Sequence, residues 1–128
     1  MNEKIHEKAA KAHFDIGNNY DSKFNKEKDV NLKKALMTVA AQNYFYSAIN
    51  TIEAILARVK SEHSYNHENR FRKLLEHRIL FSDEIITLFE KVDRDYRNKV
   101  AYRGKNGKLY ADIKKLAKLL IENDKRND

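Results

Sequence analysis

Apolar and polar positions follow one another along this chain at the three- and four-residue steps of α-helices. The pattern predicts five helices, with approximate bounds of 2–24, 29–60, 66–79, 83–103 and 108–122. The second, at thirty-odd residues, is predicted to be the central helix of the bundle. Residues 1–28 are assigned to the N-terminal helix and its connection, and residues 123–128 are expected to fray as a flexible tail.

Local signals support these bounds. Asp29 and Asn31 are both suitable N-caps for the second helix, and Ser82 is one for the fourth. Gly104 stands where a glycine commonly ends a helix in the left-handed conformation. Residues 17–19, Gly-Asn-Asn, weaken the first helix and predict a kink or a break there.

The faces of the helices indicate what each one buries. The first helix carries a helical-spaced set, namely Ile5, Ala9, Ala12, His13 and Ile16. The second helix has a broad apolar face predicted to be buried, formed by Ala41, Phe45, Ala48, Ile49, Ile52, Ile55, Leu56 and Val59. Its other face begins apolar, with Leu32, Leu36 and Val39, and becomes polar at Asn43, Tyr46, Ser47, Asn50 and Glu53. Two readings of the polar half stay open: exposure to solvent, or the wall of a cleft.

The fourth helix has two distinct faces. Its apolar stripe is Ile85, Phe89, Val92, Tyr96 and Val100. At about 100° per residue, a second set lies on the other side of the helix: Arg94, Arg97, Asn98, Ala101 and Tyr102. The second set is either an ordinary exposed basic face or a surface for a partner.

Composition narrows the class of protein. The 128 residues suit one all-α domain, because the chain has no proline, three glycines and 35% charged residues. It has no cysteine, which excludes disulfides and thiolate chemistry. No apolar run reaches the roughly 18 residues of a membrane span, and the N-terminus lacks the apolar core of a signal peptide. We therefore expect a soluble, cytoplasmic protein that does not enter membranes.

The net charge of +7 is concentrated in one stretch, residues 94–118. That stretch has nine Lys or Arg against two acids, so its excess equals that of the whole chain. Charge placed in this way favours an anionic partner over simple solvation. Residues 104–108, Gly-Lys-Asn-Gly-Lys, fit either a phosphate-binding turn or a plain connection between helices.

The segment 95–104, DYRNKVAYRG, resembles the signature of HEPN domains, in which Arg and a polar residue precede a His by a few positions. The segment 43–56, NYFYSAINTIEAIL, is similar to the aromatic-rich helix of the same family. The resemblance covers about residues 30–122 and implies an up-down bundle of four to five helices. It departs from the family at Tyr102, which stands where the catalytic His is expected.

The resemblance implies roles for particular residues. Arg97 would contact phosphate, Asn98 would orient the substrate, and Tyr102 would hydrogen-bond or stack in the place of the His. Since tyrosine has an ordinary pKa of roughly 10, it is a weak general base at neutral pH. The residues expected to attract an RNA backbone are Arg94, Lys99, Arg103, Lys105 and Lys108. Asn50 and Glu53 are expected to form a supporting polar shell.

The resemblance also implies a homodimer that binds RNA or a nucleotide, as a metal-independent ribonuclease or a degenerate relative in a toxin–antitoxin or defence setting. The alternatives are a non-catalytic adaptor for a protein partner, such as a nucleotidyltransferase or antitoxin, and a plain bundle with an incidental basic end. We expect no cofactor and no metal site. His63 and His67 are four residues apart, but no third ligand is evident beside them in the sequence.

Overall fold

The computed structural model describes residues 3–64, 66–97 and 107–126, and every regular element in these ranges is an α-helix. The helices are α1 (Glu3–Lys26), α2 (Val30–Lys60), α3 (His67–Glu76), α4 (Asp83–Arg97) and α5 (Gly107–Arg126). The all-α prediction is therefore confirmed. None of the helices described is both long and apolar enough to cross a membrane.

The central helix α2 begins and ends at identifiable caps. The side chain of Asp29 accepts hydrogen bonds from the backbone N–H groups of Asn31, at 2.9 Å, and Leu32, at 3.3 Å. At the other end, Ser61 adopts the left-handed conformation, with φ of 53°, and its N–H bonds to the carbonyl of Ala57 at 3.2 Å. The sequence-based bounds of this helix are confirmed.

The hydrophobic core lies around α2, which packs against α1 and α5, while α4 packs against α5 and α3. Most of the predicted apolar face of α2 is buried, but Ile49 is half-buried and Val59 is exposed. The largest fully buried side chains come from four helices and the α3–α4 connection: Tyr44, Phe45, Ile52, Ile55, Leu56, Leu74, Phe81, Phe89, Leu109, Ile113, Leu116 and Leu120. The predicted α4 stripe is confirmed at Ile85, Phe89 and Val92.

Helix α1 turns its polar side inward. Ile5 and Ile16, from the set that predicted this helix, are 51% and 42% exposed. The residues of α1 that are buried are His6, Ala10, Gly17 and Asp21. The helix docks through hydrogen bonds, small residues and the half-buried aromatic rings of Phe14, Tyr20 and Phe24, and not through Ile5 and Ile16. The apolar spacing therefore located the helix but not its buried face.

The predicted kink at residues 17–19 is wrong, because α1 runs unbroken from Glu3 to Lys26. Gly17 is buried against Tyr44 of α2, and a Cβ built at Gly17 would lie 2.9 Å from two atoms of that ring. The hydroxyl of Tyr44 donates a hydrogen bond to the side-chain oxygen of Asn18 at 2.6 Å. The glycine is thus a contact point for a buried aromatic ring rather than a helix breaker.

We expect Gly17→Leu to lower the free energy of unfolding by about 3 kcal/mol, because the fully buried Tyr44 ring cannot move aside without disturbing the core. The gain in helix propensity, about 1 kcal/mol, does not offset this. Urea denaturation followed by circular dichroism measures the change. Ser22→Leu, at an exposed position of the same helix, is the control. Equal stability of the two variants would contradict the close contact.

Helix α3 is shorter than predicted, whereas α4 begins where the sequence predicts. Helix α3 ends at Glu76 instead of Ile79, which is 98% exposed in the following turn. Helix α4 starts after Ser82 as predicted, with the Ser82 hydroxyl accepting from the N–H of Ile85 at 3.3 Å. Its predicted end at Arg103 and Gly104 lies outside the described residues.

Helix α5 continues to Arg126, so its predicted end at residue 122 is wrong. Residues 127 and 128 of the predicted tail lie outside the described residues. The side chain of Asn123 donates to the carbonyl of Leu80 at 2.8 Å, and Asp124 pairs with Arg58 of α2 at 2.6 Å. These tertiary contacts hold the last turn of α5 against two other parts of the chain.

Candidate functional site

The residues assigned to the RNA site divide into two groups. Five of them, Asn98, Lys99, Tyr102, Arg103 and Lys105, lie outside the described residues, as does the side chain of Arg97. Arg94, Lys108, Asn50 and Glu53 are described.

Arg94 and Lys108 are both exposed, at the last turns of α4 and the first turn of α5. Arg94 lies 3.6 Å from Asp95, a solvent-exposed pair of the kind that contributes little to stability. The second acid of the basic stretch, Asp112, accepts a hydrogen bond from Lys91 at 2.9 Å. This bond raises the pKa of Lys91 and ties α4 to α5.

One lysine of α5 is held within the fold. Lys114 donates to Asp21 of α1 at 2.7 Å, and the hydroxyl of Tyr110 donates to the same carboxylate at 2.6 Å. Burial raises the pKa of Asp21, but the hydrogen bonds from Lys114 and Tyr110 and the nearby positive charges outweigh it, so the pKa is lowered. Burial and the same carboxylate raise the pKa of Tyr110.

The exposed lysines of α5 lie beside this anchor. Lys115 and Lys118 are exposed and border a shallow groove of about 350 Å³, together with Ala111, Lys114, Leu119 and Glu122. The two acids of the basic stretch, Asp95 and Asp112, pair with Arg94 and Lys91 of the same chain. Lys115 and Lys118, in contrast, face solvent.

The polar half of α2 matches neither sequence-based reading, since α1 covers most of it. Asn43 pairs with His13 at 2.9 Å, and Asn50 pairs with His6 at 3.0 Å. Between them, the Ser47 hydroxyl donates to the carbonyl of Ala10 at 2.7 Å. The two helices are therefore antiparallel, and we call this row of contacts the polar seam. Tyr46 is the exception, because it remains 46% exposed.

The polar seam fixes the tautomer of His6. The side-chain nitrogen of Asn50 donates to the backbone carbonyl of Tyr46 at 2.9 Å, so the amide oxygen of Asn50 faces the ring of His6. Nδ1 of His6 must then carry a hydrogen and donate it. In the neutral ring, Nε2 is left with a lone pair.

Glu53, on the next turn of α2, is the centre of a second polar group. Its Oε1 accepts hydrogen bonds from the Ser64 hydroxyl and from Nε of Arg70 at 3.2 Å. Its Oε2 accepts from the backbone N–H of Ser64 at 3.2 Å and lies 3.6 Å from Nδ1 of His63. The carboxylate thus joins α2 to the α2–α3 connection and to α3.

His6, Glu53 and His63 meet at this point, with one potential ligand atom from each lying within 4.8 Å of the others. The rings of His6 and His63 are 5.6 Å apart between centroids. Sequence reasoning missed the group, because its members come from three separate segments and share no local spacing. The sequence suggested His63 and His67 as a pair instead, and the side chain of His67 lies outside the described residues.

No family model, no curated protein and no solved structure matches this chain.

Proposed function

We propose that the chain is an RNA-binding protein of the HEPN type, which uses the basic end formed by the last turns of α4 and by α5. The proposal depends on which charged side chains of residues 94–118 are paired within the protein and which are exposed to solvent. Asp112 is neutralised by Lys91, and Lys114 is taken up by Asp21, while Lys108, Lys115 and Lys118 remain exposed. A concentrated, solvent-facing set of lysines attracts a polyanion by releasing its counterions.

In this proposal, Arg97 holds a phosphate, Asn98 orients the nucleotide, and Tyr102 stacks on a base or donates a hydrogen bond. Two copies of the chain bring two such sets together in a homodimer. Lys99, Arg103 and Lys105 extend the positive surface along the backbone of the RNA.

We expect the affinity for a fluorescently labelled single-stranded RNA to fall steeply with salt concentration, as measured by anisotropy. Lys115→Ala and Lys118→Ala should each weaken binding at low salt and reduce the slope of log affinity against log salt by about 0.7 per lost phosphate contact. Lys8→Ala is the control, because it removes the same charge from an exposed site on α1, outside the basic stretch.

An equal effect of all three variants would mean that net charge alone attracts the RNA, and no binding at low salt would exclude the proposal. Association with a helical protein partner, insensitive to salt but abolished by the same substitutions, would favour the adaptor alternative.

Cleavage of the RNA is tested in the same samples. If the chain is an active ribonuclease, Arg97→Ala abolishes cleavage in the presence of a chelator. If it is a degenerate relative, the parent is inactive and Tyr102→His introduces cleavage by supplying a group that titrates near neutral pH. Cleavage that survives Arg97→Ala would contradict the assigned role of that residue.

A further inference from the structure

The ring of His6 carries an unused nitrogen inside the fold. His6 is 8% exposed, and its Nε2 has no hydrogen-bond partner among the described residues. A buried nitrogen left unpaired costs stability, and an unsatisfied polar atom in a folded protein calls for a ligand or a function. The equivalent His13, seven residues along α1, has the same kind of asparagine partner but belongs to neither of the metal-ligand groups found in the described ranges.

The potential ligand atoms of His6, Glu53 and His63 have nearly the spacing of a metal site. In a tetrahedral zinc site with bonds of about 2.0–2.1 Å, neighbouring ligand atoms lie roughly 3.3–3.4 Å apart. Nδ1 of His63 and Oε2 of Glu53 are 3.6 Å apart, close to that value. The three potential ligands lie within 4.8 Å of one another, so closure onto an ion needs movements of about an ångström. His63 can make these movements, because it lies in the connection after α2 and its side chain is 41% exposed.

We propose that His6, Glu53 and His63 bind a divalent transition metal ion, with zinc the ion that this donor set fits best. Two imidazoles and one carboxylate are an established zinc-binding combination, in which a water molecule completes the tetrahedron. The same set also accepts other divalent ions of the first transition row, such as cobalt. The site joins the start of α1 to the end of α2 and to the connection that follows it.

The surroundings of the ligands support the assignment. A histidine that binds a metal through one nitrogen donates its other N–H to an oxygen, as Nδ1 of His6 does to Asn50. The Ser64 hydroxyl and Arg70 hold the Glu53 carboxylate in place through Oε1. Oε2 accepts from the backbone N–H of Ser64 and faces Nδ1 of His63. The positive charge of Arg70 opposes a cation here, but its Nε contacts the oxygen that the ion does not use.

A second group, formed by Glu62, Glu76 and His77, has ligand atoms at similar spacing. Its Glu62 already has partners, because it accepts from Lys73 at 2.7 Å and lies 3.2 Å from Nε2 of His77. No buried orphan atom points to a ligand there among the residues described. It therefore serves as the internal comparison.

Isothermal titration of the chelator-treated full chain with zinc chloride tests the proposal. We expect one zinc per chain and loss of this binding in His63→Ala, which alters an exposed side chain and should fold normally. Asn50→Ala should weaken binding by about 10- to 100-fold, as removal of an outer-shell partner does. Its matched control is Asn43→Ala, which removes the same amide from His13 and should leave zinc affinity unchanged.

The visible spectrum of the cobalt-loaded chain gives an independent readout. The intense absorption of a four-coordinate site is expected in the parent and in His77→Ala, and its loss is expected in His63→Ala. Zinc binding that survives His63→Ala, or that disappears in His77→Ala alone, would overturn the assignment, as would no saturable binding. Lys115→Ala should bind zinc as the parent does, so failure of RNA binding and failure of the metal site are distinguishable.

Discussion

Replacement of Glu53 by alanine is expected to lower the free energy of unfolding by about 4 kcal/mol in metal-free buffer. The side chains of Glu53 and Arg70 are 7% and 13% exposed, so the substitution leaves a largely buried guanidinium without its carboxylate. It also removes the acceptor for the Ser64 hydroxyl and backbone N–H, which together hold the chain after α2. Urea denaturation at neutral pH measures the loss.

Two further variants separate the cost of an unpaired charge from the cost of lost volume. Glu68→Ala, at an exposed position of α3, should change stability by less than about 0.5 kcal/mol. The double variant Glu53→Leu/Arg70→Met should be more stable than Glu53→Ala, because it removes both buried charges and fills the space. A small effect of Glu53→Ala would show that water reaches Arg70 and compensates it.

Replacement of Asp21 by alanine is expected to cost about 3 kcal/mol at neutral pH, because it strands the buried hydroxyl of Tyr110 and removes the partner of Lys114. The cost is below that for Glu53, since the side chain of Lys114 remains 29% exposed and can be solvated. Asp15→Ala, an exposed carboxylate on the same helix, is the control and should be nearly neutral.

The pH dependence of the free energy of unfolding tests whether the charge of Asp21 is what stabilises the fold. The pKa of Asp21 is lowered in the folded chain from its ordinary value of 3.8. The carboxylate therefore stabilises the fold fully above that value, and this contribution disappears as the pH falls through the lowered pKa. Asp21→Asn should be less stable than the parent near pH 7, and the difference should shrink below about pH 3.8. A constant difference across this range would show that shape, and not charge, holds the residue.

The helices were predictable because their signals are local. Asp29, Ser82 and the apolar spacing of α2 and α4 act within a few residues, so the sequence displays them directly. Gly17 was misread as a helix breaker, because its role depends on Tyr44, which lies 27 positions away in the chain. The end of α5 was misread for the same reason, since Arg58 and Leu80 hold it.

In the candidate sites too, local features could be predicted from the sequence, whereas contacts between distant residues could not. The basic stretch is visible in the sequence as a run of lysines and arginines, but the sequence does not reveal that Lys114 is committed to Asp21. Glu53 was predicted from its place on the polar face of a helix and, with Asn50, as part of a polar shell beside the RNA site. The contact of Glu53 with His6 and His63 depends on how α1 docks. Helix α1 buries His6 and Asp21 on a face different from the one that the apolar pattern predicted.

The spacing of the polar seam affects the register in which α1 packs along α2. Its histidines and its asparagines are each seven residues apart, so a slide of α1 by two turns would put His13 opposite Asn50 and preserve one pair. The seam therefore favours the observed register by only one pair. Gly17 and Asp21 add to this preference, because the same slide would press a side chain against Tyr44 and separate the aspartate from Tyr110. The alignment of α1 thus depends on one missing side chain and one buried charge as well as on the seam.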